Sequence, residues 1–242
     1  MNQFNKIYQD IKSLKIQGAY SIALKGLEAL NYKNDPKKII SARPTEPTLI
    51  NAIKFSRTTD LETAKNYLID SKKRVIENGI DLISRNPTIF TYCHSDTIVS
   101  ILKEAKKQRK AFKVYNTETR PLYQGRITAL ALAKAKIKIT HVIDSDCDGA
   151  ILKSNIVLLG ADSIFPNGDV VNKIGSGMIA KLAKLNKTPV YIITNSWKYS
   201  PKLLTLEKRS PKEVWNIKNK YIEIQNPAFD VINRENIKAI HT

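Results

Sequence analysis

Residues 158–175, LLGADSIFPNGDVVNKIG, carry the pattern that decides the fold. An apolar run ends at Gly-Ala-Asp, and the Asn167-Gly168 pair marks the tip of a hairpin. Asn172 and Lys173 then lead to a glycine-flanked helix start. A buried strand followed by a turn and a helix predicts one unit of a parallel α/β sheet. The same order suits a small molecule that carries phosphate.

The chain after residue 87 repeats this alternation of strand and helix. Short runs rich in β-branched and aromatic residues predict strands at 88–92, 112–115, 140–143, 156–159 and 190–193. Amphipathic segments predict helices at 96–107, 124–135 and 178–186. Because the strands are almost wholly apolar, we expect a mainly parallel sheet with helices on both faces and right-handed, Rossmann-like crossovers.

The first part of the chain has only the helical period. The clearest helix is predicted at 60–83, where Asp60 can cap the start, and others at 47–57 and around residues 20–30. We therefore predict a helical N-terminal domain over 1–84 and a Rossmann-like α/β domain over 85–242.

Composition narrows the class of protein. Lys and Arg number 40 against 22 Asp and Glu, a net charge of +18 in 242 residues. That charge fits RNA, an acidic protein or a phosphorylated metabolite, although a solvated lysine-rich surface explains it equally well. Few aromatics lie between the lysines, so we do not expect direct nucleic-acid binding. No segment has the length and apolarity of a signal peptide or membrane span, which predicts a cytoplasmic protein without membrane contact.

The two cysteines, Cys93 and Cys147, have no metal-ligand spacing. We expect free thiols, no metal and no cofactor. The Asp144–Gly149 run lacks the terminal glutamate of a calcium loop, so it predicts a capped turn between a strand and a helix.

Polar groups follow each predicted strand, at the sheet edge where ligands bind in such folds. These groups are Cys93, His94 and Ser95, then Glu118 and Arg120, then Asp144, then Asp162, then residues 195–198.

Cys93 and Asp162 each allow two interpretations. Cys93 precedes a helix start that would lower its pKa and make it an acid or base, or it is a small buried apolar residue. Asp162, partly desolvated, would exchange a proton near neutrality, or it braces the loop before Asn167-Gly168.

Three basic groups suit an anion. Lys173 lies beside a helix whose free N–H groups would face a bound phosphate. Arg43 and Arg120 precede prolines and suit bidentate phosphate binding, with Glu118 bracing one of them, although such arginines also form surface ion pairs.

In this order the motifs resemble one family. It unites the alpha, beta and delta regulatory subunits of eukaryotic initiation factor 2B with ribose 1,5-bisphosphate isomerase and methylthioribose 1-phosphate isomerase. The matching segments are IQGAYSIA from Ile16, RPTEPTLINAI from Arg43, TYCHS from Thr91, TETRPLYQGRITA from Thr117, GADSIFPNGDVVNKIG from Gly160, NSWKYSP from Asn195 and NPAFDV from Asn226.

The resemblance implies roles for individual residues. Cys93 and Asp162 match the catalytic pair of the isomerases, which convert an aldose phosphorylated at C1 into a ketose phosphate. The residues implied to hold substrate and phosphate are Gln17, Gly18, Ala19, Arg43, His94, Ser95, Asn172, Lys173 and Lys198, with Glu118 and Arg120 in support. Gln17 stands where the isomerases have arginine. The resemblance also implies a homo-oligomer, either dimer or hexamer.

Two hypotheses follow. The first is an isomerase of the ribose 1,5-bisphosphate type that uses a Cys/Asp acid-base pair. The second is a non-catalytic regulatory subunit that binds a phosphorylated sugar or nucleotide and docks on initiation factor 2, which Gln17 and the positive charge favour. RNA binding has only the charge behind it.

Overall fold

A computed structural model describes residues 2–16, 18–84, 87–201 and 207–242. Helices precede the first strand, and strands and α-helices then alternate as far as the fourth strand. The helices are α1 (Gln3–Lys12), α2 (Ala19–Tyr32), α3 (Pro36–Ala42), α4 (Pro47–Ser56), α5 (Leu61–Ile80), α6 (Asp96–Lys107), α7 (Gln124–Lys134), α8 (Cys147–Leu152) and α9 (Ser176–Leu185). The strands are β1 (Thr88–Thr91), β2 (Lys113–Thr117), β3 (Ile139–Val142), β4 (Ile156–Leu159), β5 (Ser163–Ile164), β6 (Val170–Lys173), β7 (Val190–Ile193), β8 (Phe229–Ile232) and β9 (Ala239–His241).

The first five helices share one apolar core. Asp60 starts α5 by accepting a hydrogen bond from the Thr63 N–H at 2.7 Å, as the sequence predicts. Apolar side chains from all five helices pack together, and Trp197 joins them from a distant loop. The Trp197 indole also donates to the Ser71 hydroxyl at 3.1 Å. This core therefore fixes the loop at residues 195–200 against the helices.

The predicted parallel sheet is confirmed. Six strands lie in the order β3-β2-β1-β4-β7-β9, and every neighbouring pair runs parallel. Side chains alternate between the two faces. On one face, Val114 and Leu158 pack with α5, α6 and α7, and on the other, Val157 and Leu159 pack with α8 and α9.

A second, antiparallel sheet was not predicted from the sequence. It consists of β5, β6 and β8. The hairpin tip at Asn167-Gly168 is confirmed: β5 pairs with β6 through a turn in which Gly168 has a φ of 85°. Strands β8 and β9 were missed because each is short and lacks a strict apolar alternation.

None of the helices in the described ranges combines the length and the apolarity needed to cross a membrane.

Candidate functional site

A cavity of about 590 Å³ opens at the carboxyl ends of the central strands, where the helical core meets the sheet. Its volume is in the usual range for small-molecule sites. The predicted site residues that line it are Gly18, Ala19, Arg43, Cys93, His94, Ser95, Asp162, Asn172, Lys173 and Lys198. Gln17 lies outside the described residues, and Glu118 and Arg120 are not part of the lining.

Cys93 has an unusual backbone conformation. It follows β1 with a φ of 62°, in the left-handed region that non-glycine residues rarely adopt. Two threonines hold it there, since its N–H donates to Thr119 Oγ1 at 3.1 Å and its carbonyl accepts from Thr128 Oγ1 at 2.8 Å. Such strain, of order 1–3 kcal/mol, is typical of functional sites.

His94 shares the Thr128 hydroxyl with Cys93. Its Nδ1 lies 3.0 Å from Thr128 Oγ1. Because that hydroxyl gives its one proton to the Cys93 carbonyl, Nδ1 is the donor in this contact. Burial lowers the pKa of His94, so the ring is neutral with its proton on Nδ1.

The expectation that the helix start lowers the pKa of Cys93 is wrong. Burial raises the pKa of Cys93 to about 11, and the opposing effects of Lys173 and the His94 N–H are smaller. The Ser95 hydroxyl caps α6 by accepting from the Ile98 N–H at 3.4 Å, which occupies one N–H group of the helix start. The thiol is therefore protonated at neutral pH.

Asp144 holds the loop behind Cys93. Its carboxylate accepts from the Thr117 hydroxyl, and from the N–H groups of Thr119 and Arg120 at 2.8 and 2.7 Å. Thr119 in turn accepts the Cys93 N–H. The predicted turn after β3 thus fixes the position of the cysteine.

Glu118 and Arg120 form contacts outside the cavity. Glu118 pairs with Arg126 at 2.7 Å rather than with Arg120 or Arg43, which corrects the expected brace. The Arg120 guanidinium donates to the Tyr123 hydroxyl at 2.8 Å and to the Val214 carbonyl at 3.0 Å. Both side chains stabilise the loop between β2 and α7.

Asp162 lies in the cavity wall between β4 and β5. Its N–H donates to the Val171 carbonyl at 2.8 Å, while its carboxyl has no hydrogen bond to any described residue. The hairpin loop is braced instead by Asp169, whose carboxylate accepts from Asn167 Nδ2 at 2.8 Å and from the Arg234 N–H at 2.7 Å. The Asp162 carboxyl is left facing the cavity.

At the start of α9 two N–H groups are already occupied by a carboxylate, which the sequence did not predict. The N–H groups of Gly175 and Gly177 donate to the Asp230 carboxylate from β8, at 2.9 and 3.1 Å. The helix begins at Ser176, whose hydroxyl accepts from Asn172 Nδ2 at 2.9 Å. Because β8 was not predicted, this cap could not be foreseen.

The start of α2 is open instead. Gly18, with a φ of 81°, precedes the helix, and no side chain among the described residues caps it. Gly18, Ala19 and Ser21 line the cavity. The N–H groups of this helix end therefore suit a bound anion.

Positive side chains reach the cavity from three elements. Lys173 extends from β6 over the Phe229 ring at 4.9 Å, and Arg43 at the end of α3 lies 3.3 Å from Glu207. Lys198 lies on the loop that Asn51 holds by donating to the Trp197 carbonyl at 2.8 Å. The cavity has the charge needed for phosphate.

Sequence reasoning missed several residues that line the cavity, among them Arg209 and Glu46. Arg209 forms a bidentate pair with Glu213 at 2.9–3.1 Å, and no sequence signal marked it. Glu46 is 7% exposed, and burial raises its pKa. A glutamate directly before the Pro47 that starts a helix was a signal that could have been noticed.

Together the fold and the cavity define an α/β protein with a cavity, lined in part by positive side chains, at the carboxyl edge of a parallel sheet. The family model described as the initiation factor 2 subunit family matches residues 31–242, and the chain belongs to this family.

The chain is similar to two curated relatives and to one solved structure. Ribose 1,5-bisphosphate isomerase of Methanocaldococcus jannaschii is 34% identical, over 100% of this chain and 90% of the relative. Methylthioribose-1-phosphate isomerase of Dehalococcoides mccartyi is 29% identical, over 100% and 89%. The translation initiation factor eIF-2B structure from Pyrococcus horikoshii superposes with a TM-score of 0.86 at 26% identity, covering 100% of this chain and 95% of that one.

Proposed function

We propose that this chain is a sugar-phosphate isomerase, which converts an aldose phosphorylated at C1 into the corresponding ketose phosphate. The observation that carries the proposal is one cavity that holds Cys93 and Asp162 together with Lys173 and Arg43. The relative at 34% identity is named ribose 1,5-bisphosphate isomerase, so we expect that substrate first. Methylthioribose 1-phosphate is the second to try.

The reaction needs one group that gives a proton and another that takes one. The C1 phosphate blocks a free aldehyde, so the ring opens by breaking the bond between C1 and the ring oxygen. The ring oxygen gains a proton as this bond breaks. The C2 hydroxyl loses a proton while the hydrogen on C2 moves to C1 with its electron pair, so C2 becomes the ketone carbonyl and the sugar keeps its overall protonation.

Cys93 and Asp162 suit these two roles. Burial keeps the Cys93 thiol protonated, with a pKa of about 11, so it is the group that would give a proton to the ring oxygen. Asp162 has no hydrogen bond from the described residues and would take the proton from the C2 side. The charge of Asp162 also contributes to the raised pKa of Cys93, which supports placing the two groups near one ligand.

The remaining residues would hold the phosphate groups. Lys173, Arg43 and Lys198 supply charge, and the open start of α2 supplies N–H donors. A bisphosphate needs two such positions, and these groups come from different parts of the fold, the N-terminal helices and the strands and loops that follow.

Variants at the two cysteines test the proposal. Cys93→Ala should lower kcat about 10²–10⁴-fold on ribose 1,5-bisphosphate, because a positioned acid is lost. Cys147→Ala is the matched control, since Cys147 is buried in the sheet core and does not line the cavity. Full turnover by Cys93→Ala would exclude the proposed role of the thiol.

The alternative is a non-catalytic regulatory subunit that binds a phosphorylated sugar or nucleotide and docks on initiation factor 2. The likeness to the Pyrococcus horikoshii initiation factor structure and the net charge of +18 favour it. This alternative predicts that the chain copurifies with initiation factor 2 near physiological salt. Cys93→Ala should copurify equally well, and neither protein should turn over ribose 1,5-bisphosphate. Lack of binding at that salt would count against it.

A further inference from the structure

Asn51 on α4 connects the N-terminal helices to the loop after β7 by two hydrogen bonds. Its Nδ2 donates to the Trp197 carbonyl and to the Tyr199 carbonyl, both at 2.8 Å. A side-chain amide nitrogen has two N–H groups, so both are used here. Because the two carbonyls belong to the residues on either side of Lys198, one side chain fixes the backbone before and after this lysine.

The Trp197 ring fixes the same loop inside the helical core. It is 7% exposed and packs edge-on against Phe55 and Tyr67, with ring centroids 5.5 Å apart in each pair. Its indole N–H donates to the Ser71 hydroxyl at 3.1 Å. Phe55 follows Asn51 by four residues and shares its face of the helix. One face of α4 therefore holds both the backbone and the ring of residue 197.

The position of Lys198 depends on this support. The residue lies beyond the end of β7, in a 3₁₀ turn of three residues, Ser196–Lys198. A lysine has a flexible four-carbon stem, so the reach of its ammonium is set by where its backbone is fixed. Burial raises the pKa of Glu46, and Lys198 is the charged group that opposes this rise most strongly. The ammonium therefore lies near the start of the same helix, α4.

We propose that Asn51 is a positioning residue, which fixes Lys198 where its ammonium meets a phosphate group of the ligand. The inference rests on the proposed function for the role of Lys198 in phosphate binding. Asn51 acts through the loop, since it is not part of the cavity lining and both of its N–H groups are used by carbonyls. A loop that is ordered before the ligand arrives does not have to be ordered on binding, which favours affinity.

A double-mutant cycle on the full chain tests this coupling, with calorimetric titration of ribose 1,5-bisphosphate as the measurement. Asn51→Leu keeps a similar volume and has no N–H donor. Lys198→Ala should weaken binding about tenfold or more, because a charge-assisted contact is lost. Asn51→Leu should weaken it about threefold to tenfold, and the double variant should bind within about twofold of Lys198→Ala alone. Asn51→Ala, which places no branched side chain on α4, should give the same cycle.

Three results would overturn the positioning role. The first is a double variant whose loss of affinity is the product of the two single losses, because independent sites behave in that way. The others are wild-type affinity in Lys198→Ala and wild-type affinity in both Asn51 variants.

A control and a kinetic measurement separate positioning from a general loss of structure. Asn78→Ala also removes a helix amide that donates to a backbone carbonyl, that of Thr242 at 3.2 Å, but Asn78 lies outside the cavity lining. It should bind ribose 1,5-bisphosphate within about twofold of the wild type. In turnover, Asn51→Leu should raise KM and keep kcat within about threefold, because only binding is weakened. A loss of affinity in Asn78→Ala equal to that in Asn51→Leu, or a lower kcat at unchanged KM, would contradict the inference.

The two measurements also distinguish this inference from the proposed function. Binding of ribose 1,5-bisphosphate without turnover, together with a non-additive cycle, would contradict the isomerase alone. Turnover by the wild type, together with an additive cycle, would contradict the positioning role alone.

Discussion

Cys93 is positioned by its neighbours before any ligand arrives. Thr119 and Thr128 hold its N–H and carbonyl, and Asp144 fixes the loop that carries Thr119. Cys93 could be selected from the sequence because it ends an apolar strand. The direction of its pKa shift could not be predicted from the sequence. Desolvation depends on how the helical core covers the cavity, and only the tertiary structure shows this.

Thiol alkylation measures this shift. In a Cys147→Ala background, the rate of reaction of Cys93 with iodoacetamide should keep rising with pH and reach its midpoint at about 11. An ordinary thiol has its midpoint near pH 8.5. The raised value means that the folded state favours the neutral thiol, so the thiolate forms only at alkaline pH. A plateau below about pH 9 would show that the site stabilises the thiolate instead.

Loops at the carboxyl edge of the sheet depend on half-buried carboxylates as well as on the strands themselves. The sequence predicts the turn after β3 correctly, since the Asp144–Asp146 turn leads into α8. It does not predict that Asp144 holds the loop of the neighbouring strand, because that contact is non-local. The cap that Asp230 provides for α9 was missed for the same reason.

Removal of the Asp144 side chain tests whether this carboxylate stabilises the loop after β2. Asp144→Ala should lower the free energy of unfolding by about 1.5–3 kcal/mol, because hydrogen bonds from Thr117, Thr119 and Arg120 lose their acceptor. Denaturant unfolding measures it, with Asp146→Ala as the control since Asp146 is exposed on the same turn. Equal stability in the two variants would contradict the role of Asp144.

The cap of α9 gives a second prediction about stability. Asp230→Ala should cost about 1 kcal/mol in unfolding free energy, because the N–H groups of Gly175 and Gly177 lose their acceptor. Glu235→Ala, which removes only an exposed ion pair with Lys184 at 3.7 Å, should change stability far less. If both variants unfold at the same denaturant concentration, the Asp230 cap does not contribute to the free energy of unfolding.

At the scale of the whole molecule, the β3 edge of the six-stranded sheet lies beside exposed apolar side chains. β3 is the edge strand, and Ile143 after it is 59% exposed. On α7, Ile127 and Leu130 are 51% and 64% exposed. Exposed apolar residues beside an unpaired strand are typical of a subunit contact. The strand and helix alternation was enough to predict the sheet, but the surface that remains uncovered depends on strand order, which only the structure supplies.

The predicted homo-oligomer can be tested at this surface. Leu130→Glu should convert a dimer or larger assembly into smaller species in light scattering, because a charge is placed in an apolar contact. Leu185→Glu is the control, since Leu185 is also exposed but lies at the end of α9, on the other face of the sheet. A wild-type monomer at micromolar concentration would contradict the oligomer.

Phosphorus nuclear magnetic resonance of the wild-type protein mixed with ribose 1,5-bisphosphate tests the central claim most directly. We expect the C1 phosphate resonance of the aldose to be replaced by that of a ketose phosphate, and Cys93→Ala to leave the spectrum unchanged over the same time. An unchanged spectrum with the wild type, at a concentration where the ligand is shown to be bound, would contradict the assignment of this cavity to an isomerase.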